Sequence, residues 1–125
     1  MERGDNMNVN KLFRHYKNKY KLNITLKYSR IPGSTLADYD LGKRLIRLDR
    51  EKVINRKQNQ DIVVWEYLLF IKDNQSALNF LLLHEIKHAI DFRNKKIYFK
   101  CNQERYEKKA NSWAYHRYNR SINDY

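Results

Sequence analysis

The chain has 125 residues, a net charge of +12 and 42% hydrophobic side chains, enough for one compact domain over 1–125 and too little for two. One Pro and three Gly leave no composition for long disordered linkers, and no apolar run approaches the roughly 20 residues of a membrane-spanning helix. Its single cysteine, Cys101, excludes an internal disulfide and a four-cysteine zinc ribbon, and the polar start Met1-Glu2-Arg3-Gly4-Asp5-Asn6 offers no signal-peptide core, so the expectation is a soluble cytoplasmic protein in a reducing compartment.

Residues 8–20 read as an amphipathic helix, with Val9, Leu12, Phe13, Tyr16 and Tyr20 on one side and Lys11, Arg14, Lys17 and Lys19 on the other. Residues 22–28 alternate, with Leu22, Ile24, Leu26 and Tyr28 against Asn23, Thr25 and Lys27, the period of a strand with one wet face. Pro32-Gly33-Ser34 is a turn. Residues 35–39 and 44–49 form a hairpin around Asp40-Leu41-Gly42-Lys43, with Ile46 and Leu48 pointing one way and Arg47 the other. The first half is thus expected to be a helix laid on a small antiparallel sheet. The polar residues 51–60 read as a loop or short helix, and 61–73 as a helix. A long helix follows at about 76–94, with Ser76 or Asn74 as its N-cap. A connector spans 95–102, and a last helix runs over about 103–120 with Asn102 as N-cap.

The long helix carries His84-Glu85-Ile86-Lys87-His88, an HExxH motif inside the apolar run from Ala77 to Phe92. Positions i and i+4 lie one turn apart on one face, so the two imidazoles are spaced for one Zn²⁺, and Glu85 stands beside them as general base. A catalytic zinc needs a third protein ligand and an open position. Asp91, Glu107 and His116 are the candidates. Asp91 is on the same rod and is better placed to orient a ligand histidine; Glu107, on another helix, can close the site from the side. For stabilising an oxyanion, Tyr98, Tyr115, His116 and Tyr118 are near one motif or the other. Mn²⁺ or Fe²⁺ would accept the same donors as zinc.

His84-Glu85-x-x-His88 followed by Glu107-x-x-Ala110-Asn111-x-Trp113-Ala114 resembles the ImmA/IrrE family of small metallopeptidases, as does the hairpin Tyr39-Asp40-Leu41-Gly42-Lys43-Arg44-Leu45-Ile46-Arg47-Leu48 ahead of the metal helix. The resemblance covers about residues 35–118. It implies a minimal zincin-like α+β domain, one Zn²⁺ per chain held by His84, His88 and Glu107, and Glu85 as general base. It further implies a cytoplasmic endopeptidase from a phage, mobile element or stress regulon, cutting a protein partner such as a helix-turn-helix repressor. The chain differs from the family's frequent HELGH in having Lys87, and its segment 51–75 is long, as an insertion shaping a substrate groove would be.

Charge adds a second theme. Between Val9 and Ala37 there are seven Lys or Arg and no acid, which suits weak nucleic-acid contact. Two other readings therefore stand beside the peptidase: a basic protein that binds DNA or a repressor without cutting, and a DNA-associated metalloprotease like the SprT group.

Overall fold

The computed structural model describes residues 8–56, 67–68, 70–93 and 103–120. Within them four helices and three strands form a small α+β domain: α1 (Val9–Lys19), β1 (Thr25–Tyr28), β2 (Ala37–Asp40), β3 (Leu45–Leu48), α2 (Arg50–Ile54), α3 (Asn74–Phe92) and α4 (Gln103–Tyr115). The expected elements at 61–66 and 95–102, with Tyr98 and the Asn102 cap, lie outside the described residues.

α1 starts where Asn8 Oδ1 accepts the Lys11 amide at 2.9 Å, one of the donors a helix start leaves unpaired. It buries the apolar face foreseen for it, Val9, Leu12, Phe13 and Tyr16. It ends in a Schellman arrangement, the Leu22 amide donating to Lys17 O and the Lys21 amide to Asn18 O. Lys21 takes the left-handed position at φ 53°, where glycine is usual and a Cβ costs about 1 kcal/mol.

The sheet corrects one expectation. Its order is β1-β3-β2. The hairpin pairs β2 antiparallel to β3, Asp40 opposite Leu45, but β1 runs parallel to β3, Thr25 opposite Leu45. The sheet is therefore mixed, not antiparallel. The cause lies in 29–36, which crosses the end of β3 instead of turning back on β1. The Ser29 amide donates to Leu48 O, and the Asp49 amide to Leu36 O. Two side chains pin this crossing. Lys52 Nζ donates to the carbonyls of Ile31, Gly33 (2.7 Å) and Thr35 (2.8 Å). Asp49, 6% exposed, accepts the Ile31 and Lys52 amides, each at 3.0 Å. Burial works to raise the Asp49 carboxyl, but those two amides and the Lys52 ammonium hold it below the usual carboxylate range.

α3 is the axis of the domain. It touches α1, α2, α4, β2 and β3, and thirteen of its nineteen residues are buried, as befits a helix apolar nearly all round. Its N-cap is Asp73, not Ser76 or Asn74: Asp73 Oδ2 accepts the Ser76 amide at 2.9 Å and the Ser76 hydroxyl at 2.8 Å. Ile46 and Leu48, both fully buried, meet this helix from the sheet, while Arg47 turns outward to Asp38, its Nε donating at 2.9 Å. Each such apolar burial contributes about 1.5–3 kcal/mol.

Candidate metal centre

His84 and His88 sit in the third and fourth turns of α3, 2% and 5% exposed, their ring centroids 4.7 Å apart and nearly perpendicular at 86°. Glu107 reaches them from the second turn of α4. Its Oε1 lies 2.8 Å from His84 Nε2 and its Oε2 3.2 Å from His88 Nε2, while the two Nε2 atoms are 3.1 Å apart. α4 comes this close because Ala110 and Ala114, on the same face as Glu107, are both fully buried. Burial works to raise the Glu107 carboxyl, but hydrogen bonds from both histidines and their charge outweigh it and hold the group well below the usual carboxylate range.

The donor set fits a metal ion better than it fits protons. A neutral imidazole carries one N–H. With both protons on Nε2, each N–H meets a Glu107 oxygen, but the two donor atoms are pressed to 3.1 Å of each other; with both on Nδ1, two nitrogen lone pairs and a carboxylate converge. The His84 Nδ1 atom is itself buried without a hydrogen-bond partner among the described residues. A cation at the point of convergence satisfies all three. His84, His88 and Glu107 each offer one ligand atom within 4.8 Å of the others. Around a tetrahedral zinc, with bonds of about 2.0–2.1 Å, such atoms stand about 3.3 Å apart, close to the 3.1 Å between the two Nε2 atoms and the 2.8 Å from Glu107 Oε1 to His84 Nε2.

Glu85, 5% exposed, is one residue on from His84. One residue of helix turns it about 100° from His84, onto the adjoining face. Asp91, expected to orient a ligand histidine, accepts from Lys87 Nζ at 2.9 Å, so its carboxylate is engaged by a cation one turn back. His116 is not brought to the centre, either as third ligand or as oxyanion donor. It lies past the end of α4, exposed, nine residues from Glu107, and nine residues of helix turn a side chain to the opposite face. Tyr115 is also drawn off: it is 37% exposed and packs on Tyr67 and Tyr118, at 5.2 and 5.6 Å between centroids. Tyr118 comes nearer, with its ring edge on Phe80 at 6.3 Å and Phe80 against His84 at 6.5 Å.

Sequence reasoning overlooked the aromatic sleeve around the centre. Phe80, His84, His88 and Phe92 form one i, i+4 stripe along α3. Phe92 stacks on His88 at 6.0 Å and meets Tyr106 of α4 at 4.6 Å. The spacing was visible in the sequence, where it reads as plain core. Around paired charges such a sleeve lowers the local dielectric and strengthens their interactions.

No family model matches this chain, and neither the curated proteins nor the solved structures include a significant match. What the geometry defines is a two-histidine, one-carboxylate constellation able to hold a metal ion.

Proposed function

We propose that the chain is a zinc-dependent endopeptidase with a minimal zincin-like fold, of the ImmA/IrrE type, acting on a specific protein partner such as a helix-turn-helix repressor. The observation that carries the reading is the convergence of His84 Nε2, His88 Nε2 and the Glu107 carboxylate, with the buried Glu85 one residue along from His84. His84, His88 and Glu107 would hold the ion. When bound, zinc lowers the pKa of water to about 7 and polarises a substrate carbonyl. Glu85 takes the proton of the attacking water on a carboxylate oxygen and returns it to the leaving amine. Lys87 is tied to Asp91 at 2.9 Å, and Glu85 is the one carboxylate within the motif. The sleeve of Phe80, Phe92 and Tyr106 restricts bulk water at the histidine rings. The order of the two motifs, HExxH and then Glu107-x-x-Ala110-Asn111, supports the family and with it a protein substrate.

The test has two parts. Elemental analysis of tag-free protein is expected to give about one zinc per chain, lost in Glu107→Ala. Zinc-loaded wild type is then incubated with a proteome-derived peptide library, with the Glu85→Gln protein in parallel. New N-termini produced by wild type alone support the peptidase. Full zinc binding with no cleavage by either protein would instead favour a chain that keeps the fold and binds its partner without cutting.

A further inference from the structure

We infer that the outer face of α1 and β1 is a docking surface for the phosphate backbone of nucleic acid. The inference is independent of the peptidase reading.

The face is cationic in a way the fold does not require. Lys11, Arg14, Lys21, Arg44 and Arg50 are all exposed, and none forms an ion pair with an acid among the described residues. Three of them stand where local physics opposes a cation or a side chain. Lys11 is in the first turn of α1, which has no acid to meet the positive end of the helix dipole. Lys21 and Arg44 both occupy the left-handed region at φ 53°, the ordinary place of glycine. Those two strained residues flank the same end of the sheet, since Arg44 O accepts the amide of Thr25, the first residue of β1, at 3.0 Å. At the other end of β1 the Arg50 guanidinium lies 4.8 Å over the ring of Tyr28, and Tyr28 donates its hydroxyl to Asn10 Oδ1 at 3.1 Å. A stacked, anchored guanidinium is a prepared phosphate or base contact.

Composition decides between partners. The apolar residues of α1, Val9, Leu12, Phe13 and Tyr16, are buried, and the exposed residues of α1 and β1 are Lys, Arg, Asn and Thr, with Tyr28 the one exposed aromatic. Protein interfaces are built on an apolar centre depleted in Lys, whereas nucleic-acid interfaces are polar and strongly positive. The exposed cations Lys11, Arg14, Lys21 and Arg44, none paired with an acid among the described residues, are enough to neutralise about four phosphates.

The test uses the full chain and a fluorescent 20-base-pair duplex DNA, titrated between 50 and 200 mM salt. Binding is expected with a log–log salt slope of about −3.6, the value for about four neutralised phosphates. The decisive variant is Lys21→Gly with Arg44→Gly. Glycine relieves the backbone at both positions, so the thermal midpoint should rise, while affinity falls about tenfold and the slope weakens by about two. A structural role for these cations predicts the reverse order, lower stability with unchanged binding. Lys72→Glu with Lys108→Glu, charges off this face, should leave the slope as it is. No binding at 50 mM salt, a double-glycine variant that binds like wild type, or polyglutamate binding as tightly as the duplex would each overturn the inference, the last by assigning the face to an acidic protein.

Discussion

Two places in this small domain take ionic groups out of water, and they are finished differently. At the crossing between β1 and β2, Lys52 has three N–H protons and three carbonyls to receive them, and Asp49 accepts two amides besides lying 3.7 Å from the ammonium. Every donor meets an acceptor, and the network is closed. At the convergence of α3 and α4, the two Nε2 atoms lie 3.1 Å apart with Glu107 oxygens 2.8 and 3.2 Å from them, and protons on Nε2 that pair with the carboxylate leave His84 Nδ1 buried without a partner among the described residues. A closed network holds a fold together; an open one of this composition calls for something else to complete it.

The largest effects should come at the open cluster. Glu85→Gln is expected to retain zinc and lose about 10²–10⁴-fold in hydrolysis rate, the usual worth of a general base; a variant as active as wild type would remove Glu85 from the chemistry. Glu107→Gln should weaken zinc by more than the roughly 10- to 100-fold that changes outside the ligand set cost, read by competition with a chelating dye. Chelating zinc from wild type should lower its melting midpoint, by the equivalent of about 4 kcal/mol where free zinc had been 1,000-fold above its dissociation constant.

The closed cluster should answer in stability alone. Lys52→Met leaves the buried Asp49 carboxylate with its two amides but no counter-charge, and strips three carbonyls of their donor; it is expected to cost about 3 kcal/mol in denaturant unfolding, with zinc stoichiometry unchanged. If zinc were lost along with the fold energy, the two clusters would be one cooperative unit and the contrast would fail. Acid gives a gentler probe of the same residue. The Asp49 carboxyl is depressed in the folded state, so its contribution is fully present above the unfolded value of about 3.9 and drains away as pH falls through the lower folded value. Asp49→Asn should flatten that part of the stability profile in the apoprotein. Glu107 is depressed in the same sense, so part of the acid slope should survive the substitution.

The long helix α3 and its two histidines were plain in the sequence because an i, i+4 pair in an apolar run has one natural geometry. Glu107 was harder. It is twenty-three residues from His84, and only the small residues Ala110 and Ala114 signalled that the last helix could come close. The hairpin's register was legible from Ile46, Arg47 and Leu48, whose alternation fixes the faces. The parallel pairing of β1 was not, because it depends on where a lysine side chain finds its carbonyls, and Lys52 looked like one more surface cation. His116 misled because a histidine near a metal motif invites a role, while nine residues of helix carry it to the far side. Neither was Asp91's engagement by Lys87 foreseen, although their i, i+4 spacing is the ordinary one for such a pair.

The smallest effect concerns where the metal helix begins. Asp73, rather than Ser76 or Asn74, caps α3, and its Oδ2 takes both the amide and the hydroxyl of Ser76. Asp73→Ala should therefore cost about 1 kcal/mol, the usual worth of such a cap. Ser76→Ala removes a hydroxyl donor but leaves the amide bonded, so it should cost less than half of that. The pair separates the two readings of the helix start in one denaturation series. It also carries the contrast further, because Asp73 lies about three turns of helix from His84. If α3 is a rigid axis, fraying its first turn should leave zinc affinity within about twofold of wild type. A loss of affinity in step with the loss of the cap would show that the histidine pair depends on the whole length of the helix rather than on its packed centre.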